Sequence, residues 1–407
     1  MKIVFCTYDE KHAINGINTW LLNLLPLLQH RGHEIDVIYY SWSAESECAT
    51  IPLLKEKGIA CHRITGKSYL EREVKWITEK INTLQPDIFV ANHILQAWYA
   101  ARYIKLSGIP TIGVLHNDNA EYQALVNSFL NRNSESFTAC VAVSSKLYEM
   151  LLPNASNLVI KQIACGTPLF TKKASYNKNS FKVFYIGRLT SEQKNIKLVA
   201  ETLSAITENF AEIEAFIYGS GPELDMVKSI IRKAKFPERI QLMGLVENTK
   251  IHEDITNAQA IMLMSDYEGL PVSIMEAMAA GVVPVCKRTE SGLSEVIINN
   301  YSGFLVENKA EFSEKIKYLL ENPEAWQQLS NNAKESVENN FGIEKVAIKW
   351  ENLFHEIHTD HRRENILSQK INLPKANIDE ILIGNREPSL FRKLQSKFKT
   401  LLVNVKK

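Results

Sequence analysis

Short apolar runs of strand type alternate with helical stretches along most of the chain, and this rhythm constrains the fold more than any single residue. In the first series the runs are KIVFC, EIDVIYY, IACHRI, DIFVA, TIGVLH, CVAVS and LVIKQI. A strand that hands over to a helix before the next strand predicts right-handed βαβ crossovers onto a mostly parallel sheet. The first helical stretch shows the pattern. Trp20, Leu21, Leu24, Leu25 and Leu28 share one face, Gly32 stands beyond the end as a stop, and Pro26 is expected to kink the helix.

From 167 to 180 the rhythm breaks. The segment TPLFTKKASYNKNS is rich in Lys, Asn and Ser, lacks apolar periodicity and reads as an interdomain linker. Beyond it FKVFYIG, IEAFIYG, RIQLMG, QAIMLMS, VVPVC and GFLV restart the alternation, which predicts a second doubly wound domain. The expected class is α/β, with Rossmann-like domains over 1–166 and 181–340. A packing helix over 341–358 carries its apolar face on Ile343, Val346, Trp350, Leu353, Phe354 and Ile357. A connecting segment, 359–385, leads to a basic amphipathic helix over 386–407. With 407 residues the chain is too long for one compact core of about 150, so two domains also suit its length.

Composition removes several partners. Lys plus Arg number 47 against 46 Asp plus Glu, a net charge of +1, so no whole-protein field draws nucleic acid. The six cysteines (Cys6, Cys48, Cys61, Cys140, Cys165 and Cys286) stand far apart, without a C-x-x-C pair or metal-ligand spacing to His. MKIVFCTYDE has too short an apolar stretch for a signal peptide, and no segment reaches the roughly 20 apolar residues of a membrane span. A reducing cytoplasm is the expected compartment.

Open α/β sheets bind ligands beyond the carboxyl ends of their strands, where helix N-termini and bare amides attract anions. DYEGLPVSIMEAMAAG follows QAIMLMS and is expected to enter a helix at Pro271. That entry puts Glu268 on the loop and Glu276 on the helix, with seven residues between them. A loop carboxylate there can accept hydrogen bonds from sugar hydroxyls, and one about a turn and a half into the helix can grip both hydroxyls of a ribose. After FKVFYIG the segment RLTSEQKN leads into a helix near Ile196, with Asn195 the expected N-cap. Arg188 and Lys194 in that segment place two cations ahead of a helix N-terminus, where an anion would be stabilised. In IYGSGPEL, Gly219 and Gly221 are followed by Pro222, Glu223 and Leu224. The third glycine of a dinucleotide fingerprint is missing, which disfavours a dehydrogenase or epimerase.

These segments, together with EAMAAG, TESGLSEVI and GFLV, resemble glycosyltransferase family four, the retaining nucleotide-sugar enzymes of GT-B fold. The resemblance covers roughly Met1 to Ile357 and is more specific in the second domain. It implies two Rossmann-like domains facing across a cleft and transfer from a UDP- or GDP-sugar to a glycan, glycolipid or polyprenyl-linked acceptor. Bacterial cell-surface polysaccharide synthesis is the setting it suggests. By the resemblance Glu268, His116, Arg188 and Lys194 are catalytic. Gly16, Gly219, Val246, Gly269, Leu270, Pro271, Glu276, Gly292 and Glu295 contact the donor alongside Arg188, Lys194 and Glu268. Two positions depart from the family pattern: Asn15 replaces the first of two glycines before the first helix, and Ser291 stands where a glycine is frequent. No D-x-D metal motif is present, Asp266-Tyr267-Glu268 being the nearest, so neither metal nor cofactor is expected. A nucleotide-sugar-binding regulator that has lost turnover would use the same pocket, but Arg188, Lys194, Glu268 and Glu276 are all intact.

The tail lies outside the resemblance. From Arg386 to Lys407 there are seven basic residues and one acidic, a net of +6, which leaves about −5 for everything before it. Leu390, Phe391, Leu394, Phe398, Leu401, Leu402 and Val405 repeat at helical spacing. Two placements fit such a helix: against protein, or in the interface of an anionic membrane, where the cations meet the head groups. The charge favours the second, and with it a peripheral position on the inner face of the membrane.

Overall fold

The computed structural model describes residues 1–9, 11, 14–65, 70–130, 136–153, 158–290 and 292–358. The connecting segment 359–385 and the basic helix expected over 386–407 lie outside the described residues. Among those described, two parallel sheets form, one of seven strands and one of six.

The first sheet is built from β1 (Lys2–Tyr8), β2 (Glu34–Ser41), β3 (Ala60–Thr65), β4 (Ile88–Ala91), β5 (Thr111–Leu115), β6 (Ala139–Ala142) and β7 (Val159–Gln162). Between them run α1 (Gly16–His30), α2 (Ile51–Glu56), α3 (Leu70–Leu84), α4 (Leu95–Leu106), α5 (Ala120–Phe129) and α6 (Ser145–Leu151). The strand order is β3-β2-β1-β4-β5-β6-β7, every pairing parallel. Chain direction across the sheet reverses between β1 and β4, the switch point at which doubly wound sheets open a crevice. Ile3, Val4, Phe5 and Cys6 of β1 are fully buried, as a parallel strand covered on both faces requires.

The second domain repeats the plan. Its strands are β8 (Phe181–Ile186), β9 (Ile213–Tyr218), β10 (Ile240–Gly244), β11 (Ala260–Leu263), β12 (Val283–Lys287) and β13 (Phe304–Val306). Its helices are α7 (Ile196–Asn209), α8 (Leu224–Lys233), α9 (Asn248–Ile255), α10 (Val272–Ala279), α11 (Leu293–Val296), α12 (Lys309–Glu321) and α13 (Pro323–Asn340). The order is β10-β9-β8-β11-β12-β13, again parallel throughout, with its switch point between β8 and β11.

Local chemistry explains how α1 starts. Asn15 is extended, and its side chain accepts from the Asn18 amide at 3.0 Å, so the helix is capped before Gly16. The helix continues unbroken through Pro26 and buries Trp20, Leu21, Leu24, Leu25 and Leu28.

The last described helix, α14 (Ile343–Ile357), returns to the first domain. Its entry is tied to the start of the linker: the Thr167 amide donates to the Phe341 carbonyl at 2.9 Å and the Ile343 amide to the Thr167 carbonyl at 3.0 Å. Trp350 then packs against Trp20 and Phe5, with ring centroids 5.7 and 6.2 Å apart. Glu351 accepts from Arg31 at 2.7 Å and lies 3.2 Å from His33 Nε2. Among the described residues no helix is long and apolar enough to cross a membrane.

Trp350→Ala removes a wholly buried ring from this seam, so stability is expected to drop by about 3–5 kcal/mol. Exposed Ile348→Ala on the same helix should stay within about 0.5 kcal/mol. Urea titrations followed by circular dichroism compare the two, and equal midpoints would contradict the packing role of α14.

Candidate active site

The second sheet's switch point carries most of the charged residues singled out above. Directly after β8 the chain turns through Arg188, whose carbonyl accepts from the buried Tyr185 hydroxyl at 2.8 Å. The Arg188 guanidinium is exposed, and its Nη2 donates to Gln193 Oε1 at 3.0 Å. Lys194 reaches across to the loop after β11, where its Nζ lies 2.6 Å from Glu268 Oε1, both side chains being largely buried. Asn195 occupies the N-cap position of α7 but makes no capping bond. Its backbone is left-handed (φ 48°, ψ 45°), whereas a capping side chain needs the extended conformation to reach the free amides.

After β11 the loop runs to Pro271, which directly precedes α10, so the helix begins one residue after the expected entry. Glu276 is the fifth residue of that helix and is buried, with Oε1 3.1 Å from His252 Nε2 on α9. His252 stands edge-on to Phe170 of the segment joining the two sheets, ring centroids 5.1 Å apart. Leu270 is buried beside this loop. At the end of β9 the Gly219 amide donates to the Gly244 carbonyl at 2.8 Å, and Val246 follows β10, half-buried.

Two glycines bring the backbones together. A Cβ on Gly269 would lie 1.8 Å from the carbonyl oxygen of His116, so only a residue without a side chain fits between the domains there. Gly292 (φ 65°) rests in turn on the Gly269 carbonyl, 2.0 Å from where its own Cβ would be. Gly16 is different. A Cβ there would meet Val272 of α10 at 3.6 Å, an ordinary contact, so space alone does not demand a glycine.

His116 is therefore beside the Glu268 loop through its main chain, while its ring turns into its own domain. Nε2 lies 2.6 Å from Asn92 Oδ1, Nδ1 lies 3.8 Å from Cys165 Sγ, and Trp20 packs at 5.2 Å. Burial, aided by the charge of His93, drives the imidazole pKa down to about 3, and burial pushes the Cys165 thiol up to about 12. Both groups stay neutral, so this buried Cys-His-Asn contact is not a thiolate–imidazolium nucleophile.

Glu295 reaches the other domain. Its carboxylate accepts from the Ser145 amide at 2.8 and 2.9 Å, from Ser145 Oγ at 2.9 Å and from Gln162 Nε2 at 3.2 Å. Nearby, Lys146 of the first domain lies 3.3 Å from Glu290 and 2.8 Å from Asp118. The structure thus gathers Arg188, Lys194, Glu268, Gly269, Leu270, Pro271 and Glu276 around β8 and β11. It sets Gly16 and the His116 backbone against them from the first domain, and engages Glu295 as an interdomain contact. Gln193 and His252 were not singled out from sequence. Their contacts join different βαβ units, and no local pattern marks them. Among the described residues no three His, Cys, Asp or Glu converge as metal ligands do.

Residues 14–160 match the family model described as Glycosyltransferase Family 4, and residues 167–336 match that of the Glycosyl transferases group 1. The chain belongs to glycosyltransferase family four. Relatives from the family include N-acetyl-alpha-D-glucosaminyl L-malate synthase of Bacillus anthracis, 22% identical over 59% of this chain and 65% of its own length. Lipopolysaccharide 1,6-galactosyltransferase of Escherichia coli is 23% identical over 57% of this chain and 63% of its own length. This chain thus aligns with less than two thirds of either relative. Among solved structures, Anabaena Alr3699/HepE in complex with UDP-glucose superposes with a TM-score of 0.71 at 17% identity, covering 88% of this chain and all of the other. The fold is therefore the two-domain GT-B architecture of such glycosyltransferases.

The neutral His116 has a consequence for stability. Unfolded, a histidine takes up a proton near pH 6.5, whereas the folded ring resists protonation until about 3. The unfolded state then binds more protons, so stability is fully present above pH 6.5 and falls as the pH drops, by about 2 kcal/mol at pH 5. Urea midpoints at pH 7 and pH 5 should therefore fall further in the wild type than in His116→Asn, and equal losses would contradict the buried neutral state.

Proposed function

We propose that this chain is a retaining glycosyltransferase, transferring a sugar from a UDP- or GDP-sugar to a glycan or lipid-linked acceptor without a bound metal. The observation that carries the reading is the buried Lys194–Glu268 pair beside Arg188 at the second switch point, with Glu276 buried on the helix that follows β11. Doubly wound sheets bind nucleotides at that place.

The chemistry assigns a part to each group. The bond from the anomeric carbon to the β-phosphate oxygen breaks, and the electron pair leaves with the nucleoside diphosphate. The acceptor hydroxyl bonds to the same face of that carbon and gives its proton to the departing phosphate. Arg188 and Lys194 receive the developing charge, Glu268 accepts hydrogen bonds from the sugar hydroxyls, and Glu276 grips the ribose. Without a donor, Lys194 and Glu268 neutralise each other at 2.6 Å, which spares the cleft a lone buried charge. A diphosphate then competes for the ammonium and releases the carboxylate toward the sugar. Closure of the domains keeps water from the activated donor.

The HepE complex with UDP-glucose supports a uridine donor as the first to try. The galactosyltransferase that acts on lipopolysaccharide supports a surface-glycan acceptor. Incubation with a panel of UDP- and GDP-sugars together with glycan and lipid-linked acceptors, with and without chelator, should release the free nucleoside diphosphate equally in both arms. No release from any donor contradicts the reading, and release abolished by chelator contradicts its metal independence. Glu276→Ala should weaken donor binding by one to two orders of magnitude, because the ribose loses a charged acceptor worth about 1.5–3 kcal/mol. Titration calorimetry measures this, and an unchanged affinity contradicts the ribose assignment.

A further inference from the structure

Gln193 stands between Arg188 and Lys194 on the loop from β8 to α7, half-buried, and it bonds to both sides of the site. Its Oε1 accepts from Arg188 Nη2 at 3.0 Å, and its Nε2 donates to the Tyr267 carbonyl at 3.2 Å. Its own carbonyl accepts from the Asp266 amide at 2.9 Å. Asp266 and Tyr267 directly precede Glu268, so one residue joins the loop that carries the cations to the loop that carries the sugar-facing carboxylate.

The chemistry of its two partners dictates the side chain. A guanidinium only donates and a carbonyl oxygen only accepts, so the bridging group must present an acceptor to one and a donor to the other. A primary amide does both from a single planar head. A carboxylate would lose the Tyr267 bond, an ammonium would lose the Arg188 bond, and Asn is one methylene shorter. The bond also has a directional effect. The guanidinium is a rigid fork of five N–H groups, so holding Nη2 on Gln193 orients the remaining donors of an otherwise exposed arginine.

We propose that Gln193 is a positioning residue for the leaving group, holding Arg188 in the orientation that meets the donor's β-phosphate and locking that loop to the Glu268 loop. The inference rests on the donor reading above. It adds a residue that acts through Arg188 and does not itself touch the donor.

The test is titration calorimetry of the full chain with UDP and UMP, and with GDP and GMP, using whichever diphosphate the wild type binds. The readout is the ratio of monophosphate to diphosphate dissociation constants, which isolates the β-phosphate. The variants are Gln193→Met, Arg188→Ala and their double, with Gln193→Ala in place of Met if Met lowers the thermal midpoint. Loss of one hydrogen bond that orients a charged donor should lower the ratio about 3- to 10-fold in Gln193→Met. Arg188→Ala should lower it at least as far, and adding Gln193→Met to Arg188→Ala should lower it no further, because neighbours acting as one unit are non-additive. A wild-type ratio in Gln193→Met overturns the inference. So does a loss that persists undiminished in the Arg188→Ala background, which would mean that Gln193 acts by another route. A wild type that binds neither diphosphate removes the donor reading and this inference with it. An Arg188→Ala variant that loses the increment while Gln193→Met keeps it removes this inference alone.

Discussion

The His116 carbonyl of the first domain lies where a side chain of the second would begin, and the geometry of the cleft depends on that contact. Because Gly269 has no Cβ, the Glu268 loop can lie directly on the other domain's backbone, and Gly292 can lie on Gly269 in turn. Three loop segments, one from the first sheet and two from the second, are thereby stacked main chain on main chain. The loop that carries Glu268 therefore lies directly on the first domain. Glu295 extends the same seam by accepting from Ser145 and Gln162, and α14 closes it from behind with Trp350 against Trp20 and Phe5.

Burial on this scale is expensive for charge, and each charged group has an answer to it. Glu268 is held by Lys194, and Glu276 stands against His252. His116 and Cys165 avoid charge altogether: burial lowers the imidazole and raises the thiol until both are neutral.

The sheets were legible in the sequence because a parallel strand covered on both faces must be apolar along its length, and every run read as a strand is one in the structure. Helix starts were less so. Pro271 precedes α10 by one residue, and Asn195 occupies its position without capping, since its left-handed backbone turns the side chain from the free amides. The family resemblance implies donor contacts at Gly269 and Gly292, yet both glycines are also demanded by the protein's own carbonyls, a constraint visible only once the loops are stacked. Glu295 bonds to a residue 150 positions away, and Gln193 reaches a carbonyl 74 positions on. Such pairings follow from where two sheets place their strand ends, and single-sequence periodicity carries no record of it.

The central claim is that the second sheet's switch point holds the donor's diphosphate between Arg188 and Lys194, facing the first domain. A crystal structure of the full chain with the nucleoside diphosphate it releases tests this most directly. The account predicts phosphate oxygens within hydrogen-bonding distance of Arg188 and Lys194, the ribose on Glu276, and the Lys194–Glu268 pair of 2.6 Å opened. A nucleotide seated at the first sheet's switch point, or bound with that ion pair still closed, would contradict it.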